Sequence, residues 1–253
     1  MLIEALESRR LCSVGHHGQK LVLDDSFNTL NTTTWNVSGS WIQGRSDMNA
    51  SNGVVVKDGV ANLAVSTFDP THPGSLVTGS ELDSTTSYSL GQNGAKGFRY
   101  VVRAKFSSLQ RGLVGGIFTY SQNPDVSHDE LDCEALSNQG ALAGSKTIDA
   151  NIFRTDGSVS YRPMRLPRNF SFTKWHTYEI RWTTGGTKWL IDNKLMRAST
   201  YVARSPMIPI INFWAADASW TSAYSADLKP VTDQGQAQTS TLQIDRVQVW
   251  ALT

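Results

Sequence analysis

Hydrophobic and polar residues alternate with a period of two along much of the chain from Lys20 onward. Residues 98–106 alternate in this way, and residues 54–65 hold two apolar runs separated by Asp58 and Gly59. Successive side chains of a strand point to opposite faces, so this period predicts β-strands, and the Asp-Gly pair predicts a tight hairpin. Further strands are predicted at 113–120, 131–136, 148–153, 175–182, 188–191, 208–214 and 242–250.

Turn residues close these runs at intervals of about 8–15 residues, which is typical of an antiparallel sandwich. No helical period is sustained over residues 20–253, and neither a linker nor an internal repeat divides them. We therefore expect one all-β domain over 20–253, with about ten to fourteen strands in two sheets packed face to face. Residues 1–19 are expected to form a helical or disordered leader outside this domain.

Composition and charge exclude several classes of protein. The chain has 23 Lys and Arg against 22 Asp and Glu, a formal charge of +1, so no global field favours nucleic acid or an anionic membrane as a partner. No apolar run approaches the roughly 20 residues of a membrane helix. The two cysteines allow at most one disulfide, and Cys133, on the apolar side of a predicted strand, is expected to be a buried free thiol.

The segment 130–134 carries the most informative chemistry. Alternation places Glu130, Asp132 and Glu134 on one face of a strand, and neighbouring carboxylates there are about 6.6 Å apart. Repulsion between like charges is expected to raise at least one pKa. If Glu130 and Glu134 lean toward each other, their carboxyl groups approach to around 5–6 Å, the separation of a retaining glycosidase pair. From the residues alone, an acidic surface or a calcium ligand set remains open as an alternative.

The E-L-D-C-E core of 130–134 resembles the ExDxE signature of glycoside hydrolase family 16, whose members are retaining endo-glucanases with a concanavalin-like β-jelly roll. The similarity extends to GLVGGIFTYSQN at 112–123, to WHTYEIRWTTGGTKWLIDNKL at 175–195 and to INFWAADASW at 211–220. The bulged ExDxxE form of agarases, carrageenases and most laminarinases is absent. The resemblance therefore implies the branch of lichenases and xyloglucan endotransglycosylases.

The resemblance also implies roles for individual residues. Glu130 corresponds to the nucleophile, Asp132 to an assisting acid and Glu134 to the general acid and base. The positions implied to bind or line the substrate are Glu81, His128, Asn151, Phe153, Asn212, Trp214 and Trp220. Asp245 falls where many members hold a structural Ca²⁺, so it is a candidate calcium ligand; no other cofactor is expected.

The resemblance leaves the substrate open between two polysaccharides. Mixed-linkage β-1,3-1,4-glucan is the favoured substrate, although His128 and Phe153 are more similar to the xyloglucan enzymes. A non-catalytic carbohydrate-binding module and a purely structural sandwich are the rival classes. The intact carboxylate triplet argues against the binding module, and the structural sandwich predicts no affinity for sugars. The N-terminal segment MLIEALESRRLCS is similar to a pattern found on exported bacterial proteins, so we expect a secreted monomer.

Overall fold

The computed structural model describes residues 18–37, 39, 41–49, 53–121, 128–142 and 146–253. The predicted leader, apart from its last two residues, and Cys12 lie outside this part of the chain. The described residues form eighteen strands, one four-residue α-helix and two short 3₁₀-helices. None of the described helices is long and apolar enough to cross a membrane.

The strands follow the chain in this order: β1 Gln19–Asp25, β2 Trp35–Val37, β3 Ile42–Gln43, β4 Ser46–Asp47, β5 Val54–Lys57, β6 Val60–Ser66, β7 Val77–Thr78, β8 Ser80–Ser84, β9 Gly97–Phe106, β10 Leu113–Tyr120, β11 Glu130–Leu136, β12 Thr147–Phe153, β13 Val159–Arg165, β14 His176–Thr183, β15 Gly186–Ile191, β16 Lys194–Ser199, β17 Ile208–Ala215 and β18 Thr239–Leu252. The α-helix, α1, spans Ser137–Gly140, and the 3₁₀-helices span Gln92–Gly94 and Gln234–Gln236. The chain is thus nearly all β, as the period-two pattern predicts.

Two large sheets make up a β-jelly roll. The seven-stranded sheet has the order β13-β12-β11-β10-β17-β8-β2, and the eight-stranded sheet has the order β16-β15-β14-β9-β18-β6-β5, with β1 paired to β18. All pairs within these two sheets are antiparallel. A small third sheet, β3-β4-β7, contains one parallel pair.

The hairpin predicted at Asp58 and Gly59 is confirmed. Asp58 and Gly59, between β5 and β6, both have positive φ angles of 53° and 72°, as a two-residue turn of the primed type requires. Asp192 and Asn193 connect β15 to β16 in the same way, with φ angles of 49° and 63°. These turns form the two hairpins at the edges of the eight-stranded sheet, whereas its central pairs, such as β9 with β18, join strands far apart in the chain.

The core lies between the two large sheets, where the inward faces of their strands meet. Phe106 from the eight-stranded sheet stacks on Phe172 and contacts Phe213 of the seven-stranded sheet, with ring centroids 5.7 and 5.5 Å apart. Hydrogen bonds from side chain to main chain also connect the two sheets across the core. Tyr100 Oη donates to the Ile210 carbonyl at 3.1 Å, and Trp189 Nε1 donates to the Asp132 carbonyl at 2.7 Å.

Candidate active site

Strand β11 presents three carboxyl groups on the outer face of the seven-stranded sheet. Glu130, Asp132 and Glu134 line a groove there. The intervening residues Leu131 and Cys133 are buried in the core, and the Cys133 thiol is free. The alternation read from the sequence therefore describes this strand correctly.

The ladder around β11 is regular. Its register with β10 runs without a shift from Val114 opposite Leu136 to Tyr120 opposite Glu130. The register with β12 places Phe153 opposite Glu130 and Asp149 opposite Glu134. Because no residue bulges out between Glu130 and Glu134, both side chains point to the same face, as the uninterrupted ExDxE spacing predicts.

Two nearby polar side chains, one just before β11 and one on β12, hold the two glutamates in place. His128 Nε2 lies 2.5 Å from Glu130 Oε2, and the His128 ring is packed between Tyr120 and Phe153 at centroid distances of 4.5 and 5.8 Å. On the other side, Asn151 Nδ2 donates to Glu134 Oε2 at 2.8 Å. Each glutamate therefore has a polar partner that fixes the orientation of its carboxyl group.

Burial and mutual repulsion favour the protonated forms of two of these acids. Burial raises the pKa of Glu134 to about 8, and the charges of Glu130 and Asp149 act in the same direction, while the hydrogen bond from Asn151 opposes them. Burial also raises the pKa of Asp132 well above its usual range, followed by the charges of Glu130 and Glu134 and a hydrogen bond with Glu130. At neutral pH this face of β11 therefore carries protons that ordinary surface carboxylates lack.

A row of polar residues crosses the seven-stranded sheet beside Glu134. Glu81 pairs with Asn212, Asn212 with Gly116, and Gly116 with Glu134 in successive ladders. Asn212 Nδ2 donates to Glu81 Oε2 at 3.0 Å, and both residues are buried. Gly116 leaves the space that Asn212 fills, because a Cβ at this position would overlap Asn212 Oδ1.

Two buried amide oxygens face the groove without a partner. Neither Asn151 Oδ1 nor Asn212 Oδ1 accepts a hydrogen bond within the described part of the chain. Both asparagines use their Nδ2 atoms to hold a glutamate. Buried polar atoms in folded proteins nearly always have partners, so these two unsatisfied oxygens are unusual, and each belongs to a residue that lines the groove.

The groove consists of two adjoining cavities of about 390 and 520 Å³. They share the three β11 carboxylates together with Gln43 and Trp214. Glu81, His128 and Asn212 line the first cavity, and Asn151, Phe153 and Trp220 line the second, so all ten residues predicted as catalytic or substrate-binding meet in one groove. The carboxylates lie where the two cavities join.

The two predicted aromatic platforms differ in exposure. Trp214 is only 6% exposed and packs in a small cluster with Met48 and Val114, whereas Trp220 is half-buried. Their ring centroids are 5.8 Å apart. Trp214 therefore forms the floor against which Trp220 rests, and Trp220 is the more accessible ring.

Several residues that line the groove are not identified by the sequence analysis. They are Trp41, Gln43, Asp83, Phe118, Tyr120, Asp149, Tyr161, Arg162, Pro163, Ile210 and Ser219. Trp41 is 38% exposed and Tyr161 is 70% exposed, which is unusual for large aromatic side chains. Their exposure distinguishes Trp41 and Tyr161 from the buried aromatic residues of the core. This exposure depends on the fold and cannot be inferred from the local sequence.

Asp245 lies far from these residues in the fold, on β18 of the eight-stranded sheet. Its carboxylate forms an ion pair with Arg103 on the adjacent strand β9. The part of the chain that the structure describes holds one other group of potential metal ligands, formed by Asp47, Asp69 and His72, whose ligand atoms lie within 4.8 Å of one another. Thr71 and His72 donate hydrogen bonds within that group. Calcium binding at Asp245 stays a prediction.

Comparison with solved structures shows where this architecture occurs. A lichenase, a β-1,3-1,4-glucanase from a mouse hindgut metagenome, has a TM-score of 0.68 and 21% identity, with 90% of this chain and 97% of that chain covered. The Bacillus licheniformis β-glucanase has a TM-score of 0.67 and 20% identity, with coverages of 90% and 96%. The endo-β-1,3-glucanase of Pyrococcus furiosus has a TM-score of 0.69 and 17% identity, with coverages of 93% and 95%. At these identities the likeness establishes the fold.

The sequence comparisons establish the family. None of the curated protein sequences compared with this chain matches it significantly. The model of the glycosyl hydrolases family 16 matches residues 34–241, which include the three carboxylates and every groove residue named above. The chain belongs to glycosyl hydrolase family 16.

Proposed function

We propose that the protein is a retaining endo-β-glucanase that hydrolyses mixed-linkage β-1,3-1,4-glucan. The observation that carries this proposal is the geometry of β11, which sets Glu130 and Glu134 on one face with Asp132 between them, at the junction of two cavities. Two carboxyl groups in different environments are what acid and base catalysis of glycoside cleavage needs. The remaining groove residues then bind the sugar chain on either side.

Glu130 is the nucleophile in this proposal. Its side chain lies beside His128 and is hydrogen-bonded with Asp132, whose pKa is raised by burial so that it holds a proton to a higher pH than an ordinary aspartate. One Glu130 oxygen attacks the anomeric carbon, the bond from that carbon to the leaving oxygen breaks, and a glycosyl ester forms. The partners on both sides hold the attacking carboxylate in one orientation, which lowers the entropic cost of the attack.

Glu134 moves the proton in both steps. With its pKa raised to about 8, it is protonated at neutral pH and donates to the leaving oxygen as the ester forms. In the second step the ionised Glu134 takes a proton from water, the water oxygen attacks the anomeric carbon, and Glu130 is released. The cycle balances with one water consumed and needs no cofactor.

The open groove supports an endo mode of attack. The cavities on both sides of the carboxylates are continuous, so a long chain passes across β11 without its ends being recognised. Asn151 and Asn212 are polar residues of the two cavities, and Trp220 offers an aromatic face to a pyranose ring. These features suit an uncharged polysaccharide.

The choice of linkage rests on the relatives and on two residues. Two of the structural neighbours described above are a lichenase and a β-glucanase, which supports the mixed-linkage glucan. The stacked pair of His128 and Phe153 supports xyloglucan as the second candidate, because both residues match the xyloglucan branch of the family. A carbohydrate-binding module would not need Glu134 to be protonated beside a second carboxylate.

The test is the release of reducing sugars, with product sizes, from barley mixed-linkage glucan, xyloglucan and laminarin side by side. We expect oligosaccharides from mixed-linkage glucan, and Glu130→Gln to reduce their release by at least about 10³-fold while oligosaccharide binding persists. Preference for xyloglucan would assign the second candidate. Absence of cleavage on all three glucans, or wild-type turnover by Glu130→Gln, would overturn the proposal.

A further inference from the structure

Asp149 is a further carboxylate of the groove, and it lies on β12 directly opposite Glu134 on β11. Residues that face each other in an antiparallel ladder have Cβ atoms about 4.5–5.5 Å apart and project to the same face. Both side chains accordingly line the larger cavity. The register alone places a second acid beside Glu134, on the side away from Gly116.

No neighbouring group neutralises Asp149. Within the described residues its carboxylate has neither a hydrogen bond nor an ion pair, although Arg162 lines the same cavity. The residue opposite it on β13 is Pro163, which carries no charge and no N–H donor. Burial raises the pKa of Asp149, and once it is ionised its negative charge acts on Glu134 without a paired cation among the described residues.

We propose that Asp149 is a positioning residue for the catalytic proton, which it retains on Glu134 by placing an uncompensated negative charge beside that carboxyl group. This inference rests on the function proposed above. Asp149 acts through Glu134 and is not required to touch the reacting atoms.

The other groups around Glu134 have different effects. Glu130 and Asp132 share its strand, Asn151 on β12 donates to it, Gly116 on β10 contributes no charge, and the Cys133 thiol is held neutral by burial. After burial and Glu130, Asp149 is the third cause that raises the pKa of Glu134.

Asp149 differs from Glu130 in one respect that matters for the reaction. Esterification of Glu130 in the glycosyl-enzyme removes its negative charge, because one carboxylate oxygen becomes bonded to the anomeric carbon. The charge of Asp149 persists through both steps. Asp149 is therefore the carboxylate whose influence on Glu134 is present in the free enzyme and in the intermediate alike.

The test is the pH dependence of kcat/KM for Asp149→Asn. Asparagine keeps the shape of the side chain and removes its charge, so Glu134 loses its proton at a lower pH. We expect the alkaline limb of the profile to shift to lower pH by roughly 0.5–1 unit, while the position of the acidic limb does not change. Asp149→Glu, which keeps the charge, is expected to restore the wild-type limb.

Asp156→Asn is the matched control. Asp156→Asn changes the net charge by the same amount as Asp149→Asn. Asp156 lies in the turn between β12 and β13, is exposed, and lines neither cavity, so its charge is not expected to act on Glu134. We expect its profile to match that of the wild type. An alkaline limb that does not move in Asp149→Asn, or a change confined to KM, would overturn the role of Asp149.

A direct titration separates this inference from the proposed function. The Glu134 carboxyl is followed by ¹³C NMR in glutamate-labelled protein, with Glu134→Gln used to assign the signal. A lower pKa of Glu134 in Asp149→Asn than in the wild type supports the inference even when no glucan is cleaved, and equal values overturn it. Lack of glucanase activity alone would refute only the proposed function.

Discussion

Gly116 shows how a residue without a side chain shapes the candidate site. It lies on β10 between Asn212 on one neighbouring strand and Glu134 on the other. The Asn212 amide occupies the space above it and reaches Glu81 at 3.0 Å. The absence of a Cβ is therefore what allows the polar row to form.

Replacing Gly116 with alanine is expected to disturb this row. The new methyl group overlaps Asn212 Oδ1, so Asn212 has to turn away and its hydrogen bond to Glu81 weakens. We expect kcat/KM on glucan to fall about tenfold, mainly through KM, with a loss of about 1–3 kcal/mol in the free energy of unfolding. Steady-state kinetics and urea unfolding measure the two effects.

Gly185→Ala is the control for Gly116→Ala. Its Cβ would meet only Thr183 Oγ1, at 3.7 Å, which is an ordinary contact in an exposed turn remote from the groove. We expect wild-type kinetics from this variant. Unchanged KM and stability in Gly116→Ala would show that the site tolerates a displaced Asn212, contrary to the geometry.

At the scale of single residues, the sequence predicts the groove residues that lie on β11 or in segments that resemble the family. It does not predict the residues that only the strand register places in the groove. Asp149 and Tyr161 lie on β12 and β13, and Trp41 precedes the two-residue strand β3. Nothing near these residues in the chain distinguishes them from surface side chains. Their presence in the groove depends on which residues face each other across strands, and that pairing is a property of the folded sheet.

Strand β11 is fixed from behind by the eight-stranded sheet. Trp189 on β15 is fully buried and donates from Nε1 to the Asp132 carbonyl at 2.7 Å. Arg197 on β16 lies over the Trp189 ring at 4.8 Å and donates to the Ala150 carbonyl on β12. Two elements of one sheet thus hold the main chain of the two strands that carry Glu130, Glu134 and Asp149.

Trp189→Phe removes the hydrogen bond to β11 and part of the ring. We expect a loss of about 2–4 kcal/mol in the free energy of unfolding, with a several-fold fall in kcat because Asp132 is no longer fixed. Chemical denaturation and kinetics on the preferred glucan measure the two changes. A variant with wild-type kcat would show that the main chain at Asp132 does not need this bond.

Trp182→Phe isolates the contribution of the hydrogen bond. Trp182, on the adjacent strand β14, is equally buried, but its Nε1 has no hydrogen-bond partner within the described residues. Its replacement costs ring volume and removes an unsatisfied donor. We expect Trp182→Phe to be less destabilising than Trp189→Phe by about 1–2 kcal/mol, and equal losses would contradict the role given to the Trp189 bond.

At the scale of elements, the sequence predicts most of the long strands to within a few residues of their ends. Strand β10 is predicted from 113 to 120 and observed from Leu113 to Tyr120, because its apolar run is bounded by turn residues. The predicted total of about ten to fourteen strands is too low, since eighteen are described. Some missed strands, such as β3, β4 and β7, have two residues each, too few to show a period. The seven-residue strands β1 and β13 are also missed.

For the whole molecule, the carboxylates of the groove reduce the stability of the fold at neutral and alkaline pH. Burial raises the pKa of Glu134 in the folded protein to about 8, whereas the ordinary value is 4.5. Between these values the unfolded chain has released a proton that the folded chain still holds. The free energy of unfolding therefore falls as the pH rises through this range, and Asp132 contributes in the same direction.

Glu134→Gln is expected to stabilise the protein in that range while abolishing its proton donor. Near pH 4 both proteins carry a neutral side chain, so their Tm values are expected to be similar. Above pH 8 the wild type alone carries a buried charge, and since Glu134 keeps some solvent contact, we expect the variant to be more stable by about 1–3 kcal/mol. Thermal unfolding from pH 4 to 9 measures the difference.

Asp156→Asn is expected to change the stability in the opposite direction as the pH rises, in the same experiment. Hydrogen bonds from Ser158 lower the pKa of the exposed Asp156 carboxyl, so it contributes a small stabilisation above its ordinary pKa, and the variant loses this as the pH rises. A Tm difference between Glu134→Gln and the wild type that stays constant with pH would mean that the stability of the fold is not linked to the proton on Glu134. A difference that widens toward pH 8 would mean that the buried Glu134 carboxyl, which the site needs as its acid, lowers the free energy of unfolding.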